Sequence, residues 1–154
     1  MAGPDDVPFV VLGSRNGQFR ILATVSAGGV LGGTARYGVE HILPVRDDGF
    51  PWGTFVVNVG GALVLGFLLV LILELWPARR YLRPLLAIGF LGSFTTFSTW
   101  MLQVHELAEA NQIGLAALYL GGSLVAGLAV TGFGLLAGRA VVRTAFGDQG
   151  EELT

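Results

Sequence analysis

The chain of 154 residues has the length of one domain, and its composition is that of an integral membrane protein. Apolar residues make up 53% of it and charged residues only 13%, against a usual globular share of roughly a quarter. The net charge of −2 resides in loops and tails and forms no basic face, so nucleic-acid binding is excluded. Disulfides and thiolate metal sites are excluded because cysteine is absent.

A polar arm is predicted at residues 1–20, which contain Asp5 and Asp6 and lack the apolar run of a signal peptide. The first helix is expected from Ile21. It has only a short uncharged run before Arg36, so it must either end near that arginine or carry it into an aqueous mouth. Arg36 accordingly either extends to lipid headgroups or lines a cavity that attracts anions.

Four glycines of the first helix are spaced four residues apart, pairing Gly28 with Gly32 and Gly29 with Gly33. Small residues at this spacing let two helix backbones approach closely in a membrane. Helix packing is therefore a better interpretation of these glycines than a role in binding a ligand.

The second helix is the clearest membrane span of the sequence. The stretch from Trp52 to Leu73 is uncharged and, at 1.5 Å per residue, reaches about 33 Å, enough to cross the hydrocarbon core. Trp52 and Trp76 stand at its ends, as interfacial aromatic residues do. Asn58 alone breaks the apolar pattern, and it either bridges two helices by a hydrogen bond or presents its amide donors to a polar path.

The third span is predicted to contain a break. The uncharged segment Pro84 to Val104 includes Gly-Phe-Leu-Gly-Ser-Phe-Thr-Thr-Phe-Ser-Thr-Trp, in which Gly89, Gly92 and Ser93 weaken a helix. A broken membrane helix is tolerated only where its freed carbonyls and amides face protein, water or an ion. We expect an ion at this break.

Two side-chain tracks are predicted just after those glycines. Thr95, Ser98 and Thr99 have the spacing of one helical face. Phe97 and Trp100, three residues apart, have the spacing of a neighbouring stripe. A hydroxyl track is therefore expected to run beside an aromatic one.

The fourth helix is expected from about Ile113 to Gly138, inside a membrane domain at 21–139 that is followed by a tail at 140–154. Tyr119 and Ser123 are four residues apart and stand on one side of this helix. They either form hydrogen bonds between helices or line a pore.

Enzyme activity is argued against by the spans themselves. They contain no pair of embedded carboxylates, no Ser-His-Asp set and no cluster of metal-binding side chains. The lack of an ionisable group at membrane depth also weakens a proton-coupled exporter.

Residues 24 to 138 resemble the CrcB or Fluc fluoride channels of microbes. The resemblance rests on Gly-Gly-Val-Leu-Gly-Gly-Thr-Ala-Arg-Tyr at 28–37, Gly-Thr-Phe-Val-Val-Asn at 53–58 and the glycine-to-tryptophan stretch at 89–100. It implies an all-α membrane protein with four transmembrane helices, the third one broken, assembled as an antiparallel, dual-topology dimer with a central sodium ion. It also implies a passive, fluoride-selective channel of the cell inner (plasma) membrane that confers fluoride resistance.

The same resemblance implies roles for individual residues. Gly92 and Thr95 match positions whose backbone carbonyls bind Na⁺, two from each of two antiparallel copies. The positions that correspond to the fluoride path are Asn58, Phe97, Trp100, Thr96, Ser98, Thr99, Tyr119, Ser123 and Arg36. Two residues depart from the family pattern: Trp100 stands where a second phenylalanine is usual, and Ser93 where glycine is common.

The partner of the chain is left open between a second copy and an oppositely oriented paralogue. With four spans, seven arginines lie on the side of the termini and only Arg36 and Arg46 on the other. This bias favours one orientation, whereas a dual-topology chain should be balanced. Two other functions also remain: a small dual-topology exporter of organic cations, and a non-transporting assembly subunit.

Overall fold

The computed structural model describes residues 15–44, 49–75 and 79–147, and every regular element in these ranges is helical. The predicted all-α class is therefore confirmed for this part of the chain. Residues 1–14 of the polar arm, Trp76 at the predicted interface, the loop residue Arg46 and residues 148–154 of the tail lie outside it.

Five helical elements follow one another along the chain. They are α1 (Arg15–Ile42), α2 (Trp52–Val70) with a continuation in wide π-helical turns (Leu71–Leu75), α3 (wide turns Arg83–Leu91 and a last turn Gly92–Phe94), α4 (Ser98–Glu109) and α5 (Ile113–Gly147).

Three helical stretches of the described chain are long and apolar enough to cross a membrane: Trp52–Leu75, Arg83–Glu109 and Ile113–Ala145. The chain is thus a multi-pass membrane protein. The first helix, Arg15–Ile42, is long enough but not among them, because its glycines and arginines lower its mean hydropathy. The count of four spans consequently stays a prediction.

Two helices are longer than the sequence pattern indicated. The helix α1 begins at Arg15, before the expected Ile21, and continues through Arg36 to Ile42, so it does not end at that arginine. At the other end of the chain, α5 continues past the expected Gly138 to Gly147. The division into arm, channel domain and tail remains a prediction.

Glycines bring the helices together in two pairs, α1 with α3 and α2 with α5. A Cβ atom on Gly28 would overlap the Leu85 carbonyl oxygen, and one on Gly32 would overlap that of Phe90, so both positions must be glycine for α1 to approach α3. This confirms the packing interpretation for that pair. Gly33, by contrast, has no such neighbour within 4 Å.

The helix α4 is held against α5 by a turn and an aromatic core. The two helices meet at Asn111, whose positive φ of 58° is a conformation that asparagine tolerates well. Trp100 and Leu107 of α4 pack against Ala116 and Tyr119 of α5. This contact places the amino end of α4, and the break before it, beside α2.

Candidate functional site

The third span is interrupted between Phe94, where α3 ends, and Ser98, where α4 begins. Thr95 leaves the helix with an extended backbone, at φ −78° and ψ 156°. The break predicted from the glycines therefore exists. It begins three residues after Gly92, which itself is still helical.

Asn58 of α2 holds the broken segment in place. Its Nδ2 donates a hydrogen bond to the Thr96 carbonyl oxygen at 2.8 Å, and its Oδ1 accepts one from the Thr96 backbone N–H, also at 2.8 Å. The Asn58 side chain thus provides hydrogen-bond partners for both the N–H and the carbonyl of Thr96, which lies outside the helices. Asn58 thus bridges α2 to the broken segment by hydrogen bonds, and its role in a polar path stays a prediction.

The interruption leaves backbone groups without their helical partners. The N–H of Thr96, which would reach the Gly92 carbonyl in a continuous helix, is bonded to Asn58. Likewise the N–H of Thr99, which would reach the Thr95 carbonyl, is bonded to the Thr96 hydroxyl at 3.2 Å. Because these two N–H groups bond elsewhere, the carbonyls of Gly92 and Thr95 have lost the donors that a continuous helix would give them.

The hydroxyl groups at the break are arranged around Thr96. Its Oγ1 donates to Thr99 Oγ1 at 3.1 Å and lies 3.4 Å from Ser98 Oγ. The expected face of Thr95, Ser98 and Thr99 was wrong, because Thr95 lies in the extended break and its own hydroxyl donates back to Leu91. The track begins at Thr96 instead.

The two aromatic residues after the break meet, as their spacing predicted. The rings of Phe97 and Trp100 lie edge to face with centroids 5.6 Å apart. Their surroundings differ: Phe97 is 72% exposed, whereas Trp100 is only 7% exposed and its indole N–H is buried without a hydrogen-bond partner in the described chain. Phe97 thus presents its ring away from the rest of the chain.

Asn58 and Trp100 separate two cavities. The larger, about 400 Å³, opens at the break and is lined by Gly92, Thr95 and Phe97 among others. The smaller, about 240 Å³, lies between α2, α4 and α5 and includes Ser123. Ser123 Oγ is buried and has no partner in the part of the chain that the structure describes. Donor groups of Asn58, Trp100 and Ser123, from three different helices, therefore border two cavities that are otherwise lined mainly by apolar residues.

A family model described as CrcB-like protein, Camphor Resistance (CrcB), matches residues 23–135. The chain belongs to the CrcB-like family. The predicted resemblance is thereby confirmed, and the match covers all five helical elements except their outer ends.

Three curated relatives of this CrcB-like chain are each named a fluoride-specific ion channel. It is 54% identical over 119 residues to "Fluoride-specific ion channel FluC 3" of Streptomyces avermitilis, covering 77% of the chain and 58% of that relative's own length. It is 44% identical to "Fluoride-specific ion channel FluC 2" of the same organism, with coverages of 71% and 69%. It is also 41% identical to "Fluoride-specific ion channel FluC" of Chlorobium phaeobacteroides, with coverages of 77% and 92%.

The remaining residues that the CrcB resemblance singled out are not all at the break. Tyr119 is fully buried and donates a hydrogen bond to Gln103 Oε1 at 2.8 Å, so it joins α5 to α4. Arg36 is half-buried in α1 and lines neither cavity. Its two alternatives stay open.

Two buried polar residues of this CrcB-like chain escaped the sequence reasoning. Gln103 is the partner of Tyr119, and Thr54 is among the most completely buried side chains described. A signal for Gln103 existed, because it lies three residues after Trp100 in an otherwise apolar stretch. Thr54 gave none, since a threonine near a helix end usually needs no explanation.

No group of three or more acidic, histidine or cysteine side chains in the described ranges could hold a metal ion. Gly92 and Thr95 both line the larger cavity, and backbone carbonyls are oxygen ligands of the kind that small hard cations prefer.

Proposed function

We propose that this chain is the subunit of a fluoride-selective channel that passively exports F⁻ from the cytoplasm and so confers fluoride resistance. The observation that carries the proposal is the break clamped by Asn58, which places freed backbone groups and hydroxyls beside a cavity in a membrane span. It occurs in a chain of the CrcB-like family, whose curated relatives are named fluoride-specific ion channels. The protein is accordingly a transporter and not an enzyme.

Fluoride places a particular demand on a pore. It is small and strongly hydrated, so the pore must replace its water with N–H, O–H and aromatic-edge donors while leaving no room for larger anions. The donors here are the Asn58 amide and the hydroxyls of Thr96, Ser98 and Thr99. Each of them already has a partner in the protomer, so the segment is held in position before an ion arrives.

The proposed path passes from the break into the bundle. Phe97 and Trp100 offer ring edges, which carry partial positive charge, and Trp100 adds a buried N–H. Ser123 continues the path in the smaller cavity. Tyr119, which is bonded to Gln103, is proposed to support the path from behind Ser123, and Arg36 is proposed as a positive charge at the mouth.

A structural sodium ion is proposed at Gly92 and Thr95. Both residues have lost the N–H donors that a continuous helix would give their carbonyls, and both line the open cavity. Two copies related by a twofold axis would supply four such oxygens, a suitable shell for Na⁺. The bound charge would hold two broken helices together where their carbonyls would otherwise repel one another.

The functional unit is proposed to be an antiparallel dimer in the cell inner membrane, with four spans in each chain. The exposed ring of Phe97 and the open side of the larger cavity support this proposal, because a second chain would cover both. A homodimer is the simpler assembly. A pair with a paralogue is the alternative, and Streptomyces avermitilis has relatives numbered FluC 2 and FluC 3.

Liposomes that contain only this purified chain test the proposal. Fluoride release without a proton gradient, followed with a fluoride electrode, is the expected result. Exchange of an organic cation for protons would instead identify an exporter, and the absence of both fluxes would indicate an assembly subunit. Chloride-loaded liposomes serve as the selectivity control.

A further inference from the structure

A third cavity, separate from the break, combines basic and apolar residues at one end of two spans. It has a volume of about 450 Å³ and is lined by Ile72, Leu73, Arg79, Arg80, Arg83, Pro84 and Ile88. It shares no residue with the two cavities at Asn58. Nothing in the proposed fluoride path uses it.

The position of this cavity fixes its depth in the membrane. The span Trp52–Leu75 ends just before the three arginines, and the span Arg83–Glu109 starts at the last of them. Their guanidinium groups must therefore lie at the level of the lipid headgroups, where snorkelling arginines and interfacial tyrosines are found. Tyr81 fits this level, and its ring lies 5.3 Å from the Arg80 guanidinium carbon.

The charge of the cavity is not balanced within the described chain. Arg79, Arg80 and Arg83 are all exposed, and none of them forms an ion pair with a residue in the described ranges, where the one salt bridge joins His105 to Glu109. Guanidinium groups bind phosphate through paired hydrogen bonds. Three of them around one cavity complement a phosphate group that bears negative charge.

The apolar lining continues from the arginines toward the membrane interior. Leu73 on α2 and Ile88 on α3 are 57% and 56% exposed and form the two walls, while Ile72 is buried behind them. A soluble phosphate would leave these walls uncovered, whereas an acyl chain would cover them. The combination of charged rim and apolar walls matches a phospholipid better than a free anion.

We propose that this cavity is a binding site for an anionic phospholipid, whose phosphate is held by Arg79, Arg80 and Arg83 and whose acyl chain lies between Leu73 and Ile88. Basic pockets between membrane helices bind anionic headgroups, and each basic residue near the surface contributes about 1 kcal/mol. The lipid would fasten the carboxyl end of α2 to the amino end of α3. This proposal does not depend on the identity of the transported ion.

The test is native mass spectrometry of the purified chain with added phosphatidylglycerol or phosphatidylcholine. The double variant Arg79→Gln/Arg83→Gln should bind phosphatidylglycerol about thirtyfold more weakly than the unmodified chain. The matched control is Arg139→Gln/Arg143→Gln, which removes two exposed arginines at the end of α5 that line no cavity described here. It should bind as the unmodified chain does.

Two further arms separate the lipid from other occupants. Ile88→Trp fills the apolar wall and leaves the arginines in place, so it should also weaken phosphatidylglycerol binding. Inorganic phosphate at the same concentration should neither bind detectably nor displace the lipid. Equal losses in both arginine pairs, binding that Ile88→Trp leaves unchanged, equal binding of phosphatidylcholine, or displacement by inorganic phosphate would each overturn the proposal.

Discussion

Replacing Asn58 with aspartate changes the break in one defined way. The Oδ1 acceptor for the Thr96 N–H is retained, but the Nδ2 donor to the Thr96 carbonyl becomes a carboxylate oxygen that faces it. Thr96 is buried, so its carbonyl would be left without a partner at a cost of about 1 to 3 kcal/mol. The clamp would be weakened but not removed.

The larger effect of Asn58→Asp is on an anion that has to pass. Two unit negative charges about 4 Å apart repel by about 4 kcal/mol at an effective dielectric constant of 20. Since each 1.36 kcal/mol is a factor of ten in rate, fluoride flux should fall by about three orders of magnitude. The loss of the hydrogen bond alone would act mainly on stability.

The assay is fluoride efflux from liposomes, with the folding and size of the protein followed by size-exclusion chromatography in the same preparations. Asn111→Asp is the matched control, because it makes the same chemical change at the exposed α4–α5 turn, where aspartate also tolerates a positive φ. Its flux should equal that of the unmodified chain. A folded Asn58→Asp variant that transports fluoride within a factor of a few of the control would refute the reasoning.

Three further substitutions, each with a control variant, test individual contacts of the structure. Phe97→Ala should abolish fluoride flux while leaving a folded dimer, because it removes an exposed ring edge at the cavity, and Phe133→Ala on the exposed face of α5 should leave flux intact. Gly32→Ala should lower the melting temperature in detergent, since its Cβ would overlap the Phe90 carbonyl at a cost of about 1 to 3 kcal/mol, whereas Gly33→Ala should not. Thr96→Val should reduce both flux and stability, the latter by about 1 kcal/mol, because it removes the acceptor of the Thr99 N–H, and Thr96→Ser should retain both. Equal behaviour within any of these pairs would contradict the corresponding contact.

The break shows what the sequence could and could not predict. Two glycines and a cluster of hydroxyl residues at membrane depth indicated correctly that the third span is interrupted. The exact position of the break could not be predicted from these residues. It depends on Asn58, which lies 38 residues before Thr96 and bonds both backbone groups of that residue. Helix propensity alone therefore predicted the break at the glycines. In the structure the break lies at residues 95–97, where Asn58 contacts Thr96.

The polar residues inside the bundle show the same limit. The three-residue spacing of Phe97 and Trp100 correctly predicted that their rings are neighbours. Residue spacing could not predict the hydrogen bond between Tyr119 and Gln103, because that bond depends on how α4 crosses α5. Ser123 was identified by its spacing from Tyr119. The two nevertheless have different surroundings, since the tyrosine is bonded inside the protomer while the serine lines a cavity.

Electrical recording from a planar bilayer that contains only this chain tests the central claim most directly. With a tenfold gradient of fluoride and symmetrical chloride and pH, a fluoride-selective channel should give a current that reverses at about 59 mV, the potential of a tenfold gradient of a monovalent ion. Added protonophore should leave that potential unchanged. A reversal near zero, or a reversal potential that shifts when the protonophore is added, would contradict a passive fluoride channel.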